Sequence, residues 1–206
     1  MKEAAGPEDF YTVEEYLTSE RRGEIKHEYT SGLVVAMAGA SRAHNLITGN
    51  VARRFGNQLE GKPCETYSSD MRVRTTPTEY TYQDVVVVCG EPQFEDAEVD
   101  TLLNPTVIVE VLSKSTERRD RVEKFSDYRG MPTLKEYILV SQNKMHVEHY
   151  VRQPDNEWTV TDINQPDGKV TISSINGELH LSEVYDRVKF PPPRPLRSVS
   201  VSEQQE

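Results

Sequence analysis

Two short apolar runs stand out in the pattern of hydrophobic and polar positions. Residues 82–88 read Tyr-Gln-Asp-Val-Val-Val-Val, and residues 105–113 read Pro-Thr-Val-Ile-Val-Glu-Val-Leu-Ser. Both are short and rich in β-branched residues, which predicts buried strands rather than helices. Each holds one carboxylate, Asp84 at the mouth of the first and Glu110 in the middle of the second. A carboxylate in such a strand is costly to bury unless it is paired, hydrogen-bonded or on a metal.

Around these runs the period changes several times. Thr12-Val13-Glu14-Glu15 is a capping-box sequence, which predicts a helix from there to about Arg22, closed by Gly23. Residues 25–37 hold Thr30-Ser31-Gly32 between two strand-like runs, and so predict a hairpin. Ala43, Ile47, Val51, Phe55 and Leu59 recur every fourth position after Ser41, marking an amphipathic helix that Gly61 closes. Residues 65–75 alternate Met71 and Val73 against Arg72 and Arg74, the pattern of one strand.

After Glu110 the chain turns charged. Thr116 is the expected N-cap of a helix over 117–129, with Val122, Phe125 and Tyr128 as its core stripe and Gly130 and Pro132 as its stop. Strands follow at 136–140, 145–152, 158–163 and 170–175, then a short helix at 182–185. The predicted class is α/β or α+β, with a mixed central sheet flanked by helices and extra antiparallel strands at the C-terminal end. Residues 11–190 form one domain in this reading. Residues 1–10 and the Pro- and Ser-rich residues 191–206 are expected to be disordered.

Composition narrows the function. The 206 residues carry 24 basic and 34 acidic side chains, a net charge of −10. That excludes broad, non-specific nucleic-acid binding but leaves room for a local basic site, and residues 113–129 carry six Lys and Arg. No stretch approaches the ~20 apolar residues of a membrane helix, and the N-terminus lacks a signal-peptide pattern. Cys64 and Cys89 have no metal-type spacing and read as packed thiols in a reducing cytoplasm.

Strand alternation puts Ile108, Glu110 and Leu112 on one face. An Asp at a strand start and a Glu on an adjacent strand can converge on one divalent cation, and hard oxygen ligands suit Mg²⁺, with Mn²⁺ as a substitute. Lys124 is the candidate cation beside them, because its helix follows the Glu110 strand and can fold back over it. The plain alternatives are a strand cap for Asp84 and a helix-surface pair with Asp120 or Asp127 for Lys124.

Asp84, Glu110 and Lys124 resemble the metal-binding core of the PD-(D/E)XK nuclease superfamily. More closely, the chain resembles the Uma-type family of restriction-endonuclease-like proteins. The resemblance rests on Tyr11-Thr12-Val13-Glu14-Glu15-Tyr16-Leu17, Ile25-Lys26-His27-Glu28-Tyr29, Met37-Ala38-Gly39-Ala40-Ser41 and His44-Asn45. It rests equally on Ser69-Asp70-Met71-Arg72-Val73, Asn104-Pro105, Ile108-Val109-Glu110-Val111-Leu112-Ser113, Ser115-Thr116, Asp120-Arg121 with Glu123-Lys124, and Glu136-Tyr137. The family usually has proline where this chain has Gln83. The superfamily usually has its lysine two residues after the Glu, where this chain has Leu112. Lys124 takes that role by resemblance, with Lys114 as second choice.

The resemblance implies a restriction-endonuclease-like fold and Mg²⁺-dependent hydrolysis of DNA phosphodiester bonds by metal-activated water. Asp84 and Glu110 are then the metal ligands, Asp84, Glu110 and Lys124 the catalytic set, and Glu28 and His44 supporting residues around it. A homodimer is the expected assembly. The alternatives are a nuclease fold that binds nucleic acid or protein without cutting, and a structural homodimer. His146 and His149 receive no role, and Asp70 is left open because its strand parity is not fixed by sequence.

Overall fold

The computed structural model describes residues 10–113 and 116–191. Expectations for residues 1–9, for 192–206 and for Lys114 lie outside the described residues.

Helix α1, Val13–Glu20, starts at the predicted capping box: the Thr12 side chain accepts from the Glu15 N–H, and the Glu15 carboxylate accepts from the Thr12 N–H at 2.8 Å. It ends slightly earlier than expected, with Arg21 as its cap. Strands β1 (His27–Thr30) and β2 (Leu33–Ala36) form the predicted hairpin. Its turn residues Ser31 and Gly32 both have positive φ, 47° and 98°. A Cβ on Gly32 would lie 2.7 Å from Phe10 Cδ1, so the turn needs glycine for space as well as for φ. Helix α2, Arg42–Leu59, is capped by Ser41 and buries Ile47, Val51, Phe55 and Leu59 as its periodicity predicts.

The next region departs from the sequence pattern. The stretch read as one strand over 65–75 is β3 (Cys64–Ser68) and β4 (Arg72–Thr76). The run over 82–88 is likewise divided, between β5 (Glu79–Tyr82) and β6 (Val85–Cys89). Register explains the division. Ser68 pairs with Val85 and Arg72 with Tyr82, so residues 69–71 on one arm face only residues 83–84 on the other. One long hairpin thus carries a bulge, and the bend sends its two halves into different sheets. Alternation alone does not reveal this, because the apolar pattern continues on both sides of the bend.

Beyond lie β7 (Thr101–Leu102), β8 (Val107–Leu112) and a helical stretch discussed below. Strands β9 (Glu136–Ser141), β10 (Val147–Arg152), β11 (Trp158–Ile163), β12 (Lys169–Ile172) and β13 (Gly177–His180) follow. The expected mixed central sheet is present, and a second main sheet and a two-stranded ribbon accompany it. The first has the order β2-β1-β5-β4-β7, the second β11-β10-β9-β8-β6-β3, and β12 pairs with β13. Both main sheets are mixed, since β4–β7 and β8–β9 are parallel.

Helix α2 packs its apolar stripe against Val85, Val87, Val107, Val109 and Val111 on one face of the six-stranded sheet. Val86, Val88, Ile108 and Leu112 face the other way, onto Tyr128, Leu134 and Tyr137. Burial on both faces accounts for the unbroken valine runs. A third cluster, Tyr16, Leu17, Tyr29 and Tyr80, seats α1 on the five-stranded sheet.

Two further expectations are corrected. Cys64 and Cys89 are not packed thiols but a disulfide. They are directly paired residues of the β3–β6 ladder, with Cα atoms 4.0 Å apart, a relationship that spacing in sequence does not show. Val122 does not face the core: it is 60% exposed. The helical stretch runs from α3 (Glu117–Arg119) through a π turn (Asp120–Lys124) into α4 (Phe125–Tyr128). Asp120, Lys124 and Tyr128 point inward instead. Among the described residues no helix is long and apolar enough to cross a membrane.

Candidate active site

The bulge puts Asp84 at the seam between the two main sheets, immediately before β6. The β6–β8 ladder pairs Val85 with Val109, so one step further Asp84 stands opposite Glu110. Both carboxylates share the face of Val86 and Ile108, as alternation predicts. The β1 strand of the other sheet brings Glu28 to the same place, and the π turn brings Lys124.

Lys124 Nζ donates to Glu110 Oε1 at 3.0 Å, and lies 3.1 Å from Glu28 Oε1 and 3.6 Å from Asp120 Oδ1. The Tyr128 hydroxyl donates to the same Glu110 oxygen at 2.9 Å and accepts from Gln83 Nε2 at 3.1 Å. Asp84 Oδ2 accepts from the Val111 N–H at 2.7 Å and lies 3.2 Å from His44 Nε2. Arg119 forms a very short contact with Glu28 Oε2. Helix α2 supplies His44 from its first turn, so three layers of the fold meet at this point.

These contacts leave oxygens unused. Glu110 Oε2 and Asp84 Oδ1 have no hydrogen-bond partner among the described residues. Glu28 Oε1 is buried and close to Lys124 but makes no well-directed hydrogen bond. Four carboxylates, Asp84, Glu110, Glu28 and Asp120, face one ammonium and one guanidinium. Burial pushes the Glu110 carboxyl above the usual carboxylate range, with Lys124 pulling the other way and Asp120 and Asp84 adding to the rise. Burial also raises Asp120 against the pull of Lys124. At Glu28 burial is outweighed by Lys124 and Arg119, and its pKa is lowered. Burial disfavours the Lys124 ammonium, but Glu110, Tyr128, Glu28 and Asp120 outweigh it and hold the pKa well above that of an ordinary lysine. Fully ionised, the four carboxylates would exceed Lys124 and Arg119 by two charges, the size that one divalent cation would cancel.

The structure gathers all five residues singled out from sequence, Asp84, Glu110, Lys124, Glu28 and His44, into one place. It adds Gln83 and Arg119, and it brings in Asp120 and Tyr128, which the sequence placed beside Lys124 only as helix neighbours. The i, i+4, i+8 spacing of Asp120, Lys124 and Tyr128 was the available signal, masked by the competing Val122–Phe125 stripe. Asp70 stands apart: it is exposed and pairs with Lys26 at 2.5 Å. His149 pairs with buried Glu136 at 2.5 Å. His146, Glu148 and Asp162 form a second group of potential ligand atoms within 4.8 Å of one another. There Arg121 engages both oxygens of Glu148, at 2.6–3.2 Å, and His146 Nε2 lies 2.8 Å from Asp162 Oδ1.

Two mixed sheets meeting at a carboxylate pair, with a lysine from the following helix, define a restriction-endonuclease-like protein. The chain belongs to the Uma2 family, described as "Putative restriction endonuclease", whose family model matches residues 13–182. It is similar to two proteins of Synechocystis sp. One, "Uncharacterized protein sll1609", is 36% identical over 163 residues, 79% of this chain and 92% of that protein. The other, "Uncharacterized protein slr1290", is 34% identical over 178 residues, 86% of this chain and 92% of that protein. A crystal structure from Anabaena variabilis, of a "putative nuclease belonging to DUF820", superimposes with a TM-score of 0.70 at 15% identity. It covers 87% of this chain and 99% of the Anabaena chain, a likeness of fold.

Proposed function

We propose that this protein is a Mg²⁺-dependent endonuclease that hydrolyses DNA phosphodiester bonds at the Asp84–Glu110–Lys124 site. The observation that carries this reading is the pair of unused oxygens, Asp84 Oδ1 and Glu110 Oε2, on facing strands within a cluster of four carboxylates. Asp84 and Glu110 would hold the cation, and Glu28 is the third carboxylate within reach. When bound, Mg²⁺ supplies Lewis-acid stabilisation and a lowered pKa for the attacking water.

The chain's own groups do the rest. The Val111 N–H and His44 fix Asp84 through Oδ2 and leave Oδ1 unengaged. Tyr128 and Lys124 fix Glu110 through Oε1 in the same manner. The Lys124 ammonium stays charged and lies where negative charge would build on a phosphate in the transition state. Arg118, exposed beside Arg119, and Arg42, two residues before His44, offer phosphate contacts on an otherwise acidic protein.

The test is calorimetric titration of Mg²⁺ and Mn²⁺ into the wild-type protein, Asp84→Asn and Glu110→Gln, alongside single-turnover cleavage of plasmid DNA. Binding and cleavage that both vanish in the two variants support the reading. Cation binding without cleavage by the wild type would favour a non-cutting binder, and no binding at all would leave a structural ion cluster.

A further inference from the structure

The outer edge of the five-stranded sheet is made by β2, and β2 is built unlike an ordinary sheet edge. Natural edge strands are guarded by charge, proline or a bulge. The other sheet's outer strands follow that rule, with Glu65 in β3 and Asp162 in β11. Strand β2 is Leu-Val-Val-Ala, and residues 32–41 contain no charged side chain in a chain that is 28% charged. Leu33 and Val35 are 36% and 47% exposed, and Phe10, against the Gly32 turn, is 69% exposed.

Two hydrogen bonds fix which backbone groups point outward. Met37 donates inward to the Lys26 carbonyl, and the Gly32 carbonyl accepts from Tyr11 on the outer side. Strand backbone groups alternate, so Leu33, Val35 and Met37 bond toward β1 while Val34 and Ala36 present N–H and C=O to the outside. Tyr11 occupies the outer side at Gly32, which limits any added strand to the stretch around Val35.

We infer that this edge is the contact with a second copy of the chain, antiparallel β2 against β2, with Val35 on the twofold axis. In that register Val34 faces the partner's Ala36, and these outward residues exchange both pairs of hydrogen bonds. The contact is self-complementary, as a twofold interface must be. Charge selects the same occupant. Two copies at net −10 repel each other, and this uncharged edge lets them meet without opposing carboxylates. Phe10, Leu33 and Val35 of both copies would cover one another. The ladder also orients the sites: Glu28 is the cross-strand partner of Val35, so the two Glu28 backbones would lie on one side of a continuous sheet, about 15 Å apart across three strand spacings.

The test uses the full chain in sedimentation equilibrium at micromolar concentration. The wild type should be a dimer, and Val35→Lys a folded monomer with the wild-type circular-dichroism spectrum, its melting temperature lowered only by the loss of association. Val35→Cys should form a disulfide-linked dimer in air, because Cys64 and Cys89 are already bonded to each other. Leu33→Cys, off the axis, should crosslink at least tenfold more slowly. A monomeric wild type overturns the inference, as does a dimer that survives Val35→Lys or crosslinks equally well through both positions. The outcome is independent of whether the protein cleaves DNA.

Discussion

Lys124 Nζ lies 3.0 Å from Glu110 Oε1, joining a helix to a central strand through a pair in which both residues are almost wholly buried. Tyr128 shares one oxygen of the carboxylate, and Glu28 and Asp120 lie within reach of the ammonium. Such a cluster is expensive to desolvate and is weak support for stability taken alone. Its position beside Asp84 is what the proposed function rests on.

Removing the ammonium separates the chemical role from ligand binding. Lys124→Ala should slow the cleavage step by about 100-fold or more, the usual effect of losing one stabiliser of transition-state charge. Mg²⁺ affinity should be retained or increased, because a positive charge has left the site. Single-turnover rates and calorimetry measure the two separately. Lys114→Ala serves as the comparison, and a dead Lys114→Ala beside an active Lys124→Ala would transfer the role to Lys114.

The π turn makes a prediction about stability. Val122 is 60% exposed, although the sequence pattern puts it in the core. Val122→Asp should change the unfolding free energy by about 0.5 kcal/mol or less, as surface substitutions do. Denaturant unfolding is the measurement, and a loss of several kcal/mol would return Val122 to the interior.

The disulfide should contribute measurably. Cys64 and Cys89 are separated by 25 positions, and closing a loop of that size stabilises by about 3 kcal/mol in the chain-entropy view. Cys64→Ser, or a strong reductant, should lower the guanidinium midpoint accordingly. Equal midpoints with and without reductant would show that the bridge is not formed in solution.

Acid stability should depend on Asp100. Its carboxylate accepts from Arg21 at 2.8 and 3.0 Å and lies 2.9 Å from Arg72 Nη2. The Arg21 hydrogen bonds first, and then Arg72, hold its pKa well below the usual carboxylate range against the effect of burial. A pKa lowered on folding gives stability that is present above the unfolded value, about 3.9, and lost as pH falls below it. The melting-temperature gap between the wild type and Asp100→Asn should therefore be widest near neutral pH and shrink steadily below pH 4. A gap independent of pH would place its origin elsewhere.

The sequence by itself determined the local elements and singled out the side chains that the fold gathers at one place. Thr12 with Glu15, the Gly32 turn and the fourfold spacing from Ala43 to Leu59 act through nearest neighbours, so each is written where it operates. The carboxylates in apolar runs announced themselves because burial of such groups needs a reason. Alternation placed Glu110 on the correct face of β8 for the same local cause. Tertiary structure decided what depends on partners distant in the chain. The bulge opposite Asp84 arises from the register of two strands and divides one long hairpin between two sheets. The Cys64–Cys89 bond follows from that same register. The inward turn of Asp120, Lys124 and Tyr128, in place of Val122, follows from Glu110 and Glu28, which come from two different sheets to meet a single ammonium.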